Sequence, residues 1–304
     1  TGGTNISIYV PNGSVRLPWV FAETGNLTCG ETALTSAAAT NSTSFGIGTF
    51  SLITTGSENC AFGKNALTLL SSGSYNTAIG SGTLVGITDG THNTAVGCYA
   101  LNSALTGNAS YNTVVGFGTM RVSTAYANSA FGYNALTSNT TGGENTAIGY
   151  QALRYITAGA SCTAVGYNVF ENATNTYNTG IGANAGNPLT TGQFNTLLGS
   201  RTGATLTTGS NNVLIGDSSN VGTASTANSI VIGQGVTSTA SNQISIGSLS
   251  HTTCFIRGIR GISTGAIDAV NVLVDSNGQL GTISSSQRFK ENIADIGDLS
   301  SKLY

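Results

Sequence analysis

Apolar and small residues recur along this chain at a fixed spacing, in a pentapeptide close to Asn-Thr-Ala-Ile-Gly. It stands at residues 76–80, 93–97, 145–149 and 178–182, with relatives such as Asn-Cys-Ala-Phe-Gly at 59–63 and Asn-Val-Leu-Ile-Gly at 212–216. The closing glycines fall at 30, 48, 63, 80, 97, 116, 132, 149, 166, 182, 199, 216, 233 and 247, with gaps of 14 to 19 residues, most often 17. Helical repeats need about 33 residues and propeller blades about 40, so this period admits only short strands and turns. Two strands and two turns per unit are expected.

Two apolar rows mark the repeat. The residue before the glycine is large (Phe62, Ile79, Val96, Ile148, Ile181), and so is the fourth residue after it (Leu52, Leu67, Leu84, Leu101, Met120, Leu136, Leu153). Both alternate with small or polar neighbours, as in strands. Stacking coils about 4.8 Å apart would bury both rows in one continuous core. The glycine predicts a corner with positive φ or close backbone approach, and stacked Asn amides predict a hydrogen-bonded ladder along the axis. The small position between Thr and Ile (Ala61, Ala78, Ala147, Gly180) is expected to face away from the core. Either the coil's curvature or a neighbouring subunit explains it.

The chain divides into a connector at 1–25, a repeat array at 26–249, a neck at 250–283 and the start of a helical chaperone or trimerisation segment at 284–304. Within the array the pattern changes near residue 182: the downstream Leu row becomes Gly186 and Gly203, while the small position becomes Leu197 and Leu214. The neck holds Asn277-Gly278 between apolar runs, a strong hairpin signal, and a preceding strand is expected at 255–261. Beyond it Phe289, Ile293, Ile296, Leu299 and Leu303 form an apolar stripe at helical spacing, which needs partners because one short helix is marginal in water. The expected fold is all-β: a parallel β-roll or β-solenoid of about 14 coils, homotrimeric, with a short C-terminal β neck and helix.

Composition narrows the function. Only 7% of the 304 residues are charged and the net charge is -2, yet 39% are hydrophobic and 42 are glycine. Such a chain folds, with neutral hydroxyls and amides where most surfaces carry Lys and Glu. Lys64 is the single lysine before Lys290, which argues against nucleic acid as a partner. No apolar run reaches the roughly 20 residues of a membrane helix, so no membrane insertion is expected in this segment. The start at Thr1 reads as part of something longer. Cys29, Cys60, Cys98, Cys162 and Cys254 lack metal-ligand spacing and read as small apolar fillers; His92 and His251 are isolated. No metal and no cofactor are expected.

The stretches Asn-Thr-Ala-Ile-Gly-Tyr-Gln-Ala-Leu at 145–153 and Asn-Ser-Ile-Val-Ile-Gly-Gln-Gly at 228–235 resemble the head repeats of trimeric autotransporter adhesins. That resemblance, over about residues 26–249, implies a left-handed parallel β-roll in a trimeric head that binds host surfaces. The coils here are longer, and the added residues are expected to bulge at the Tyr-bearing turns: Tyr75, Tyr111, Tyr126 and Tyr177. The run Ser-Ser-Ser-Gln-Arg-Phe-Lys-Glu-Asn-Ile at 284–293 resembles the start of the intramolecular chaperone of phage tailspikes, tail fibres and endosialidases. By that resemblance Ser285 is the nucleophile and Lys290 the base of a single self-cleavage, although Ser286 stands where the family commonly has Asp. A purely structural trimerisation helix is the other reading of the segment.

Two functions follow as expectations. One is a phage or viral tail-fibre-type trimer that presents a shaft to a host or cell-surface receptor, a glycan among the candidates. The alternative is a bacterial cell-surface or secreted adhesin filament. Both are extracellular or on the virion surface, and neither is an enzyme. A polysaccharide-degrading tailspike fits less well: such sites pair carboxylates, and Glu58, Asp89, Glu144 and Glu171 are scattered along the array.

Overall fold

A computed structural model describes residues 20–21, 25–30, 33, 39–102, 108–256, 270–276 and 278–282. Residues 1–251 and 252–304 form two separate compact units.

The first unit is a parallel β-solenoid of about 12 turns. Its main sheet has 15 strands. Val20–Phe21 pairs antiparallel with Leu27–Cys29 at one end; from Leu27–Cys29 to Ile244–Ile246 every later strand lies parallel on the one before. Pairing is in strict register, Thr77 on Thr94, Ala78 on Ala95 and Ile79 on Val96. Each coil contributes a single strand of three residues, such as Thr77–Ile79 or Thr146–Ile148. The expected second strand appears only late, where Asn220–Val221 pairs with Thr237–Ser238.

Elsewhere the coil turns through left-handed residues. Three recurrent positions per coil have positive φ, as at Asn65 (57°), Leu67 (52°) and Tyr75 (61°). Such backbone is unusual for a side chain as large as Leu. Full burial of Leu67 on the core side offsets part of that strain.

The closing glycines stack on one another, and at Gly80 (φ 135°) a Cβ would stand 2.5 Å from the Gly97 carbonyl oxygen. In the second coil the corner is Gly46, not Gly48, because the strand there is Thr43–Phe45. Its inward residue is therefore Phe50, fully buried, while Leu52 is exposed.

The interior reverses one expectation. Side chains alternate across a strand, so only the middle residue can point inward with the flanks outward. Ala61, Ala78, Ala95 and Ala147 are completely buried, whereas Ile79 is 43% and Ile148 41% exposed. The small row lines the core, and the large pre-glycine row faces outward. Facing the alanines are Leu67, Leu84, Leu136 and Leu153, and a third wall, seven residues after each glycine, is made by Leu70, Ile87, Ile156, Leu189 and Leu206. A coil this narrow has room for one large residue opposite an alanine, not for two large rows meeting head-on.

Beside the core runs the amide ladder. Each Asn Oδ1 accepts the backbone N–H of the equivalent residue one coil on, as Asn59 does from Asn76 (2.9 Å) and Asn76 from Asn93 (3.0 Å). Each Nδ2 donates to a carbonyl of the following coil, as Asn76 does to Gly90 (2.8 Å). These amides are buried and satisfied, as buried polar groups must be.

In the second unit Leu273–Val274 and Leu280–Gly281 form an antiparallel pair, with Gly278 at φ 81° in the connection. The expected strand at 255–261 and the helical stripe at 289–303 fall mostly or wholly outside the described residues.

Candidate functional site

Function must be sought on the solenoid's outer surface, where two features repeat. The first is the outward face of the main sheet. One of its columns carries Thr at the first strand position (Thr77, Thr94, Thr146), and the other carries the pre-glycine residues, among them Phe62, Ile79, Phe131, Ile148, Ile181 and Leu198, each 37–44% exposed. In-register pairing turns these into a continuous apolar strip. Contiguous apolar surface of this extent is uncommon on a monomeric protein.

The second feature is a set of aromatic ladders. Phe117, Tyr133, Tyr150 and Tyr167 each follow a closing glycine, and because the coils are in register their rings stack at 5.6, 5.3 and 5.1 Å with interplanar angles of 8–9°. A second ladder runs through Tyr75, His92 and Tyr111, with centroids 4.8 and 5.0 Å apart, and Tyr177 stacks on Phe194 at 5.0 Å. Stacking of this kind contributes about 0.5–1.5 kcal/mol per pair. The turn tyrosines thus form no bulges: Tyr75, Tyr111 and Tyr177 continue regular columns, and Tyr126 lies over Gly143, 3.2 Å from where a Cβ would stand. In the stacked columns the ring faces cover one another, which leaves edges and hydroxyls for a ligand.

His92 is thereby explained as a member of an aromatic stack. The Phe117–Tyr167 ladder was missed in the sequence, although aromatics at one repeat position in four successive copies signal it. Among the described residues no group of three or more His, Cys, Asp or Glu could hold a metal, and no helix is long and apolar enough to cross a membrane.

The cysteines do not share one environment. Cys162 is buried at the Asn-ladder position, its Sγ 3.3 Å from the Asn175 carbonyl, and burial pushes its thiol pKa up. Cys254 is exposed and is no filler. Ser285 and Lys290 lie outside the described residues. The few charges pair where they can: Arg154 with Glu171 at 3.5 Å and Arg201 with Asp217 at 3.3 Å. No protein-family model matches the chain, and no curated protein or solved structure matches it.

Proposed function

We propose that the chain is the shaft of a homotrimeric fibre, of the phage or viral tail-fibre type, that carries an adhesive surface to a host or cell-surface receptor. The observation behind this reading is the outward strip of Ile79, Ile148, Ile181 and Leu198, half-exposed in a single chain. Burying such a strip against two further copies removes it from water at about 25 cal/mol per Å² of apolar area. A closed ring of identical interfaces is the ordinary outcome for a homo-oligomer. The same coil-on-coil stacking suits an extracellular or virion-surface setting, since it relies on amides and hydroxyls instead of ion pairs. Self-cleavage by Ser285 and Lys290 belongs to this reading: chains made with the downstream segment would end at Ser284, and Lys290→Ala chains would keep their full mass.

Native mass spectrometry and sedimentation of the full chain test the assembly. The expected species is a trimer, and Ile148→Asp with Ile181→Asp should convert it to a β-rich monomer. A wild-type chain that stays monomeric at micromolar concentration sinks the proposal.

A further inference from the structure

Lys64 is the sole lysine among the described residues and, unlike Arg154 and Arg201, it has no acidic partner there; the same holds for Arg121. An exposed, unpaired cation is a notable expense on so neutral a surface, and Lys64 does not stand alone. It lines a groove of about 340 Å³ together with Asn65, Thr68, Ser81, Tyr99 and Asn102, a volume within the usual range for small-ligand sites.

The repeat explains how the groove arises. The second residue after each closing glycine forms a column on the surface: Asn65, Gly82 and Tyr99 in three successive coils. Gly82 (φ 65°) interrupts it with a notch that the Tyr99 ring overhangs, since a Cβ there would stand 2.9 Å from Tyr99 Cδ1 and Cε1. Tyr99 stands one column over from the Phe117–Tyr167 ladder, whose position its own coil fills with Cys98, and it meets Phe117 edge-on, at 86° and 6.1 Å. The Arg121 guanidinium stands over its ring at 5.9 Å.

Polar groups converge around the notch. Asn102 Nδ2 donates to the Gly82 carbonyl (2.6 Å), which fixes the amide and leaves its Oδ1 to accept. Thr68 Oγ1 donates to the Asn65 carbonyl (2.8 Å). The Asn65 amide and Ser81 hydroxyl have no side-chain hydrogen bond among the described residues.

We propose that this groove binds an acidic sugar unit of a surface saccharide, a uronic or sialic acid, which would make it a receptor site of the adhesive shaft proposed above. Lys64 takes the carboxylate, with Arg121 adding positive potential at the rim. The amides of Asn65 and Asn102 and the Ser81 hydroxyl suit ring hydroxyls, and Tyr99 offers an apolar surface to the sugar's C–H groups.

Titration calorimetry on the full chain, with 3′-sialyllactose and a galacturonic acid trimer against lactose and a neutral galactose trimer, tests this. At least one acidic saccharide should bind, its affinity should fall with added salt, and its neutral counterpart should fail. Lys64→Gln should weaken binding by about tenfold or more, as loss of a charge-assisted contact does. Gly82→Asn, which fills the notch and tolerates the left-handed backbone, should abolish it with the charge intact, and Arg201→Gln should leave it unchanged. Equal binding of the neutral sugars, an unaffected Lys64→Gln variant, no saccharide binding, or full displacement by an Asp-rich peptide overturns the assignment. The outcomes separate from those for the shaft: a chain that binds acidic saccharides but no cell surface refutes adhesion alone, while one that holds cells equally well with Gln at 64 refutes this site alone.

Discussion

Cys162 occupies a position that Asn holds in the coils on either side, and the ladder falters there. Its backbone N–H still donates to Asn145 Oδ1 (3.0 Å), and its thiol stands in for an amide donor toward the Asn175 carbonyl. A thiol has no carbonyl oxygen, however, so the Asn178 N–H meets only the weakly accepting Cys162 sulfur, where Asn195 meets the Asn178 Oδ1 (3.0 Å). Cys162→Asn should restore the bond and stabilise the chain by about 1 kcal/mol in thermal or denaturant unfolding. Burial raises the Cys162 thiol pKa above its ordinary 9.0, so the thiolate is scarce near neutrality. Labelling with a chromogenic disulfide at pH 8 should therefore modify exposed Cys254 first and Cys162 only on unfolding. A raised folded-state pKa gives a contribution present in full below the unfolded thiol's value and lost as pH rises through the folded one. An alkaline loss of stability above about pH 9 should be smaller in Cys162→Asn. Of the corner glycines, Gly80→Ala combines a φ that only glycine adopts comfortably with a Cβ 2.5 Å from the Gly97 oxygen. It should cost about 3 kcal/mol or more, read from the shift in unfolding midpoint.

Between elements the governing quantity is volume inside the coil. Where the strand supplies Ala, the facing turn supplies Leu, as with Ala147 and Leu153. Where the strand supplies Leu197, the turns supply Gly186 and Gly203, whose Cβ positions lie 2.7 and 3.1 Å from Leu197 Cδ1. Phe170 likewise fits because Gly180 has no side chain: a Cβ there would stand 2.6 Å from its Cε2. The pattern change near residue 182 is thus an exchange of bulk between opposite walls. Leu197→Ala should cost about 2–5 kcal/mol, and adding Gly203→Leu should recover part of it, since Leu already occupies that left-handed position at Leu136 and Leu153. Gly203→Leu alone should destabilise by crowding, so a double-mutant cycle should give a favourable coupling; additive effects would refute the exchange. The same balance limits what sequence reading yields. Alternation in Thr-Ala-Ile revealed strands and register, but hydropathy favours Ile over Ala for the interior. The choice is settled by cross-section, which no single repeat reveals. The surface was legible only as scattered tyrosines and one lysine: Lys64, Gly82 and Tyr99 are 17 or 18 residues apart and meet only once the coils are laid in register.

Across the whole solenoid, each strand of the main sheet bonds only to the strands of adjacent coils, and stability should be a sum of coil terms and nearest-neighbour interfaces. Removing one complete coil then deletes one term and rejoins surfaces that already match. Excising residues 133–149 places Tyr150 directly after Gly132, so Ala130 meets Ala164, Asn128 meets Cys162 and the Phe117 ring meets Tyr150, each pair equivalent in kind to one now present. The shortened chain should keep its β circular dichroism and melt within about 5 °C of the parent. Excising residues 133–141 removes about half a coil. It would bring the left-handed turn residues of one coil against the strand of the next and point outward side chains inward. That variant should lose cooperative melting or unfold in two separated transitions, because a register error cannot be absorbed where each coil is read by its neighbour at every position. Equal tolerance of the two deletions would mean that stability resides in individual coils and not in their stacking.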